Sequence, residues 1–446
     1  MLKVYNTLSR KKEEFISIKD KEVSIYVCGV TVYDLCHIGH ARAYVVFDIV
    51  RRMFEYIGYK VKYIQNFTDV DDKILNRAKE KNIDPLVLSS NMIDEYFIDM
   101  DALNIKRADN YPKVTEHISQ IINFIKELEA KDIAYESQGD VYFDISKYKE
   151  YGEFSCRNLE DMQAGARVDI NKNKKNPFDF VLWKGDENSD LNWESPWSQG
   201  RPGWHIECSV MSKEYLGDTF DIHGGGQDLV FPHHQNEIAQ TESLTGKKMA
   251  NYWMHNGFVR IDNEKMSKSL NNFFTVREVL RKYSPMDIRL FFLMTQYRMP
   301  INYSDKELDQ SRTAGDRIRK AIQVETISDN NDYSDLKEKF IQAIEDDFNT
   351  AKTLAIVFSL VKEVNKSKSS NALSLLKEFL NVLGLNYLSE ETKQENAPAE
   401  VVELAKQRWE AKTNKDWGEA DKLRASISEL GYIVKDSKDG YDLIKQ

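Results

Sequence analysis

Cysteine is scarce. Cys28, Cys36, Cys156 and Cys208 are the only four in 446 residues, and no two form a C-x-x-C pair. That excludes a disulfide scaffold and leaves reduced thiols or a metal site. Nine prolines are too few for a collagen-like or proline-rich disordered chain. No stretch approaches the roughly 18 apolar residues of a membrane span, and Met1 to Asp20, with the charged run Arg10, Lys11, Lys12, Glu13, lacks the apolar core of a secretory leader. A cytoplasmic chain with no membrane partner is expected. Positive charge is also short: 62 Lys+Arg against 72 Asp+Glu give a net charge of -10 and a pI near 5.5. This excludes coating nucleic acid through bulk charge, though not one shaped RNA partner docked on local patches. There is no G-x-G-x-x-G and no G-x-x-x-x-G-K-[ST], so ordinary dinucleotide and P-loop sites lose ground.

What is present suffices for several domains. The chain is about three times the ~150-residue domain prior, and its 41% hydrophobic residues can bury a sizeable core. Val23, Ile25 and Val27 alternate with Ser24 and Tyr26, the period of a strand, and Gly29 ends the run before a turn at Thr31 to Leu35. Val46, Ile49, Val50, Met53 and Ile57 then recur at helical spacing until Gly58, a C-terminal cap, and Val61 to Ile64 reads as a second strand. Strand, helix, strand with a right-handed crossover predicts a parallel sheet whose ligand lies at the carboxyl ends of the strands, near Cys28 to His40. Between about Glu116 and Gly200 the pattern breaks into a helix, Ile118 to Leu128, and short aromatic strands, Val141 to Phe143 and Phe178 to Trp183. Apolar runs resume at His205 to Leu216 and Tyr252 to Ile261, and beyond Val276 helical periodicity runs to Leu383. Polar Ser389 to Pro398 resembles a linker.

Three groups of residues suggest chemistry. His37-Ile38-Gly39-His40 follows the first strand and opens the helix, where two imidazoles beside exposed backbone N–H groups suit phosphate oxygens and Gly39 leaves room for a base or ribose. Lys265-Met266-Ser267-Lys268-Ser269 places two lysines and two hydroxyls in a polar loop, a clamp for a polyphosphate that gains charge as a bond breaks. In Phe231-Pro232-His233-His234-Gln235-Asn236-Glu237, Pro232 suits the first turn of a helix and His233 and Glu237 are then i, i+4 on one face. His234 has Ile238 at that spacing, which cannot ligate. Zinc accepts thiolate, imidazole and carboxylate together, and Cys28 and Cys208 lie in segments expected to flank the same sheet end. From the residues alone, four unrelated roles for these four side chains remain the simpler reading.

The first two groups resemble the HIGH and KMSKS signatures of class I aminoacyl-tRNA synthetases, and the flanking text resembles the cysteinyl-tRNA synthetase family. The similar blocks are Cys28-Gly29-Val30-Thr31-Val32-Tyr33-Asp34, Asn66-Phe67-Thr68-Asp69-Val70-Asp71-Asp72-Lys73, Gln163-Ala164-Gly165-Ala166-Arg167-Val168, Gly203-Trp204-His205-Ile206-Glu207-Cys208-Ser209 and His223-Gly224-Gly225-Gly226. The match runs from Tyr5 to the C-terminus. Asn271, where the family often has glycine, and Gln235, where glutamate is usual, depart from it.

This resemblance implies one Zn²⁺ per chain on Cys28, Cys208, His233 and Glu237, with Cys36 and Cys156 as ordinary thiols. It implies an ATP site, with Mg²⁺ accompanying the nucleotide, at His37, Gly39, His40, Lys265, Lys268, Gly225 and Asp228, where Gly224 to Gly226 would make an adenosine-binding turn. It implies a cysteine pocket at Thr68, Trp204, Gly29 and Thr31; for Trp204 a core aromatic is the alternative. Implied partners are tRNA(Cys), L-cysteine and ATP, for a monomer. The expected fold class is α/β: a Rossmann-like parallel-sheet catalytic domain (residues 1–115 and 201–275) with an inserted α+β region (116–200), followed by a stem-contact region and helical bundle (276–388) and a linker and C-terminal anticodon-binding domain (389–446). A cysteine ligase acting on an amino sugar shares the zinc site and both signatures but lacks a full tail, and here Asp347-Phe348-Asn349-Thr350 and Trp417-Gly418-Glu419-Ala420-Asp421-Lys422-Leu423-Arg424 favour tRNA. In that tail Arg408, Lys412, Lys415, Lys422 and Arg424 recur at helical intervals, open to a phosphate-facing row but each read first as a solvated position.

Overall fold

The strands of the central sheet mix apolar and polar residues and are most buried toward their carboxyl ends, as in Glu22–Val27 and Lys60–Gln65. The computed structural model describes residues 1–157, 173–261, 264–265, 273–385, 398–414, 416–436 and 440–445. In it, strands Ala250–Asn256, Phe220–Gly226, Glu22–Val27 and Lys60–Gln65 lie side by side in that order, all parallel. Helix Ile38–Tyr56 is the crossover between the last two, and Gly58, at φ +91°, follows its C-cap Ile57. Register puts Val27 beside both Gly224 and Gln65, and His255 beside Gly225. The segments that begin at Cys28, Asn66 and Gln227 therefore leave the sheet at one end, the carboxyl end at which α/β sheets hold ligands.

The insertion is a helix, Ile118–Ala130, and an antiparallel sheet of Ala134–Ser137, Asp140–Phe143, Phe180–Gly185 and Gly200–Pro202. It shares one hydrophobic core with the parallel sheet, in which Phe143, Leu182 and Trp183 join Tyr26, Ile64 and Trp253. Helical periodicity beyond Val276 is interrupted once, by strand Ile301–Tyr303, which pairs in parallel with Val259–Ile261. Three residues are too few to show alternation, so the sequence pattern passes over it. Helices Pro285–Leu293, Asp305–Ile322, Ser334–Glu345, Thr350–Ser367 and Ser370–Val382 complete the unit Met1–Asn386. No helix among the described residues is long and apolar enough to cross a membrane.

A buried charge cluster ties the crossover helix to the helical region. Asp48 accepts from Arg52 Nε at 2.8 Å, from the Lys106 N–H at 2.9 Å and from Arg289, whose guanidinium also reaches Leu383 O at 2.9 Å and Leu103 O at 3.1 Å. Burial pushes the Asp48 carboxyl up, but Arg289 and Arg52 outweigh it and hold it below the usual range. Its contribution to stability is therefore full above the unfolded carboxylate pKa and is lost as pH falls through the lower folded value. Asp48→Asn, which leaves two buried guanidinium groups without their anion, is expected to cost about 3–5 kcal/mol in urea unfolding. A loss within 1 kcal/mol would show that the carbonyls alone satisfy Arg289.

The second unit, Tyr387–Gln446, packs helices Ala399–Thr413 and Trp417–Glu429 against hairpin Tyr432–Asp436/Tyr441–Lys445 around Val401, Ala405, Ile427, Tyr432 and Val434. Arg408 is buried here, at 4% exposure, so the solvated position expected for it is wrong. Its neighbours on the helix turn it into the core, which charge spacing alone does not reveal. Ser389 to Ala397 and Lys415 lie outside the described residues.

Candidate metal centre and nucleotide end

Cys28 follows strand Glu22–Val27, Cys208 lies in the first turn of helix Ile206–Leu216, and His233 and Glu237 share helix His233–Thr245. Pro232 is the N-cap, after a cis Phe231–Pro232 peptide, one position earlier than the first-turn place expected, and the i, i+4 relation survives. The two sulfurs are 3.7 Å apart, His233 Nε2 is 3.0 Å from Glu237 Oε1, and Cys28 Sγ is 3.6 Å from that oxygen. All four residues are buried, with donor atoms within 4.8 Å of one another. Tetrahedral zinc with bonds of about 2.3 Å to sulfur and about 2.0 Å to nitrogen or oxygen spaces two sulfurs about 3.8 Å apart and a nitrogen and oxygen about 3.3 Å apart. The donor set fits such an ion.

Electrostatics favour two of these groups as ligands and oppose the other two. Burial pushes Glu237 up, but His223 and His233 hold its carboxylate well below the usual range. Burial works against a charged His233, yet Glu237 and Cys208 lift it to about 10. Cys208, also opposed by burial, is drawn down to about 6 by Cys28 and His233. Metal binding needs deprotonated thiols, a neutral imidazole and an ionised carboxylate; Cys208 and Glu237 meet this, whereas burial and Cys208 push the Cys28 thiol well up and His233 must give up the proton that Glu237 and Cys208 hold on it.

Spacing along the helix sets His234 aside as a ligand, yet the structure brings its ring to the same cluster. His234 Nε2 stands 3.3 Å from Cys28 Sγ, and Cys28, His223, His234 and Glu237 form a second group of four converging donors. His223 Nε2 is 2.7 Å from Glu237 Oε2, His234 Nδ1 is 2.8 Å from His255 Nε2, and His205 Nδ1 is 3.0 Å from His233 Nδ1. His205, His223 and His255 were missed because each reaches the site from a different element, and helical spacing pairs residues only within one helix.

The expected cysteine-pocket residues meet beside the thiols. Thr31 and Thr68 form a parallel bridge, in which the Thr68 N–H donates to Val30 O and the Val32 N–H to Thr68 O, both at 3.1 Å. Gly29 N–H donates to Asn66 Oδ1 at 2.8 Å, and a Cβ on Gly29 would stand 1.5 Å from Asn66 O, so a side chain is excluded there. Thr68 Oγ1 donates to Glu207 Oε2 at 2.7 Å. Trp204 is 40% exposed, its ring stacked on His233 at 4.4 Å, so it is an outer wall and not a core aromatic. Cys36 is buried and Cys156 exposed, both apart from the cluster. Gln235 accepts the Ser155 N–H at 3.2 Å, a bond a carboxylate would also accept, while its buried Nε2 finds no partner among the described residues.

At the nucleotide end, His37 caps helix Ile38–Tyr56. Its Nδ1 accepts the N–H groups of Gly39 at 3.1 Å and His40 at 3.2 Å, while His40 Nδ1 accepts the His37 N–H at 3.3 Å. The rings stack at 3.5 Å. With Nδ1 of each ring accepting, the proton of each neutral imidazole sits on Nε2 as a donor. Lys265 lies in the short strand Glu264–Lys265, paired antiparallel with Arg260 and Ile261. Lys268 and Asn271 lie outside the described residues, as does the block Gln163 to Val168. The chain returns at Phe273 and is zipped to the signature turn, with the Ile38 N–H on Phe274 O at 3.1 Å and the Val276 N–H on Cys36 O at 2.9 Å. The three glycines are the end of strand Phe220–Gly226, which corrects the turn expected of them. A Cβ on Gly224 would stand 2.3 Å from the Phe47 ring, and one on Gly225 2.8 Å from Leu229, so packing already requires glycine. Asp228 is exposed in the turn Gln227–Val230.

Residues 14–313 match the family model for the tRNA synthetases class I (C) catalytic domain, 339–388 the DALR domain, and 395–441 the cysteinyl-tRNA ligase anticodon binding domain. A cysteine–tRNA ligase of Clostridioides difficile is 46% identical over 459 residues, covering 98% of this chain and 99% of its own. The chain belongs to the cysteine–tRNA ligase family. A second family member, from Caldicellulosiruptor saccharolyticus, is 48% identical and covers 98% of each chain. Among solved structures, a Mycobacterium tuberculosis methionyl-tRNA synthetase with methionyl-adenylate superposes with a TM-score of 0.58 at 14% identity, covering 77% of this chain and 83% of its own. The cysteine–tRNA ligase family member described here thus shares a class I synthetase fold.

Proposed function

We propose that this chain ligates L-cysteine to tRNA(Cys) at the expense of ATP. The observation that carries the reading is the buried, converging group of Cys28, Cys208, His233 and Glu237 at the same end of the sheet as the His37–His40 turn. In the first step the cysteine carboxylate attacks the α-phosphorus of ATP, which travels with Mg²⁺, giving cysteinyl-adenylate and pyrophosphate. His37 and His40 donate to the polyphosphate from Nε2, Lys265 and Lys268 supply positive charge as pyrophosphate leaves, Gly39 and Gly225 admit the nucleotide, and Asp228 accepts from its ribose hydroxyls. In the second step a hydroxyl of the terminal adenosine of tRNA attacks the mixed anhydride and releases AMP. Bound by its four ligands, zinc would take the substrate thiol as a thiolate, which serine's hydroxyl cannot match. Gly29, Thr31, Thr68 and Trp204 orient the rest of the amino acid.

Residues 1–115 and 201–275 form the catalytic halves, 116–200 the insertion, 276–388 the stem-contact region and bundle, and 389–446 the anticodon-binding tail, in a cytoplasmic monomer. ATP–pyrophosphate exchange with cysteine, followed by charging of tRNA(Cys), tests the proposal. Exchange without charging would favour an amino-sugar acceptor, and neither would leave a non-catalytic zinc protein. Lys268→Ala is expected to slow exchange by about 10²-fold while cysteine affinity holds, because that charge is needed only as pyrophosphate departs. An unchanged exchange rate would remove Lys268 from the machinery.

A further inference from the structure

Two residues beyond His40, the crossover helix buries an arginine. Arg42 is 0% exposed. It donates from Nη1 to Phe258 O at 2.7 Å, and from Nη2 to Tyr297 O at 3.2 Å and to Met299 O. Among the described residues no carboxylate pairs with it, and its charge is met by carbonyl dipoles. Burial pulls its pKa down to about 10, which leaves it protonated at neutral pH. An arginine so placed is a costly way to fill space, since an apolar side chain of similar volume is often neutral or stabilising in place of a buried charge.

The three carbonyls mark a particular junction. Gly257 and Phe258 lead into strand Val259–Ile261, and Tyr297 to Met299 lead into its parallel partner Ile301–Tyr303. Gly257 N–H donates to Tyr297 O and Ile301 N–H to Phe258 O, each at 2.9 Å. Tyr297 O and Phe258 O thus accept twice, once from the backbone that pairs these segments and once from Arg42. The contact is close: a Cβ on Gly257 would stand 2.6 Å from Met299 C and O. Strand Val259–Ile261 pairs on its other edge with Glu264–Lys265. The outgoing end of the lysine-bearing segment is thereby held by Arg42, and its returning end by the backbone bonds at Phe274 and Val276, both to the helix that His37 caps.

We infer that Arg42 is a positioning residue for adenylate formation, fixing the strand that leads to Lys265 relative to the His37–His40 turn so that both sets of phosphate donors meet one polyphosphate. The inference rests on the function proposed above. Arginine suits the task because its planar fork addresses several diverging carbonyls at once, whereas an ammonium is a single point. Displacements of about 1 Å in such a constellation cost about 10²-fold in rate.

The test uses the full-length, zinc-loaded protein and its Arg42→Met and Arg42→Lys variants. Zinc per chain, cysteine affinity, thermal midpoint, and kcat and KM for ATP in cysteine-dependent pyrophosphate exchange are measured for each. Expected are a fall in kcat of about 50-fold for Arg42→Met and about 10-fold for Arg42→Lys, with zinc content and cysteine affinity within twofold of the parent. A folded Arg42→Met protein with kcat within twofold of the parent overturns the inference, as does loss of exchange in step with loss of zinc or cysteine affinity. If Arg42→Met fails to fold, Arg42→Lys decides: a reduced kcat with zinc retained supports positioning, and a parental kcat overturns it. Failure of both to fold would make Arg42 purely architectural, which also overturns it. A parent without exchange sinks the functional reading and this inference together, whereas an active parent matched by its Arg42 variants sinks this inference alone.

Discussion

Replacing Cys208 with serine is expected to strip the chain of zinc and, with it, of the preference for cysteine over serine. Each ~1.4 kcal/mol is tenfold, so rejecting serine by 10⁴ requires about 5–6 kcal/mol. A pocket that distinguishes groups by size supplies about 1–3 kcal/mol, so shape alone falls short. A metal–thiolate bond covers the difference. Cys208→Ser removes one of the two sulfurs that stand 3.7 Å apart and leaves His233 and Glu237 buried without their central ion. Elemental analysis should show zinc falling from one per chain to a trace, and cysteine-dependent exchange should fall by about 10³-fold or more, with the cysteine-to-serine ratio collapsing toward the pocket's own limit. Zinc retained at one per chain would shift the site to Cys28, His223, His234 and Glu237, and His223→Ala would then lose the metal instead. The pH dependence follows from the thiol. Cys208 is drawn down to about 6 in the metal-free protein by Cys28 and His233 against burial. Rebinding of zinc should therefore weaken as pH falls through about 6, where that sulfur takes up a proton, and strengthen further as pH rises above it, because His233, lifted to about 10, and Cys28, pushed up by burial, must also give up protons to ligate.

The two halves of the proposed zinc site come together for different reasons. His233 and Glu237 are four apart on one helix, a relation that sequence spacing states directly, and the structure closes them to 3.0 Å. Cys28 and Cys208 could be brought together only through the sheet, because one follows the first strand and the other opens the helix before Phe220–Gly226. The surrounding imidazoles were not legible, since strand register is absent from a one-dimensional pattern. His223 lies beside Tyr26, and His255 beside Gly225, only once four strands are in order. The same limit hid Arg42, whose place in helix Ile38–Tyr56 looks like any charged position until the strands at Val259 and Ile301 close over it. Gly224 and Gly225 show a second cause for one pattern: a run of glycines suggests a ligand lying against backbone, and packing against Phe47 and Leu229 already excludes a Cβ at both positions.

His40→Ala is expected to slow adenylate formation by about 10²–10³-fold in kcat, the usual effect of deleting one donor aimed at developing charge. The residue has two separable jobs. Its Nδ1 accepts the His37 N–H at 3.3 Å, closing a reciprocal cap with His37 Nδ1, and this fixes the ring so that Nε2 carries the proton. Loss of the cap should cost about 0.5–2 kcal/mol of stability, whereas loss of the donor should appear only in the rate. His40→Asn separates the two, because an amide can accept the His37 N–H through oxygen and still donate through nitrogen. It should recover the stability lost in His40→Ala and part of the exchange rate. Cysteine affinity and zinc content should be unchanged in both, since the proposed thiol end rests on the separate cluster of Cys28, Cys208, His233 and Glu237. The tautomer adds a further check. A donor that works as the neutral imidazole needs no extra proton, so the rate should not fall as pH rises through the range of about 5 to 8 in which an imidazolium is lost. A parent rate that drops across that range, with the drop abolished in His40→Asn, would mean that His40 acts as a cation and that the capping geometry does not persist once ATP is bound.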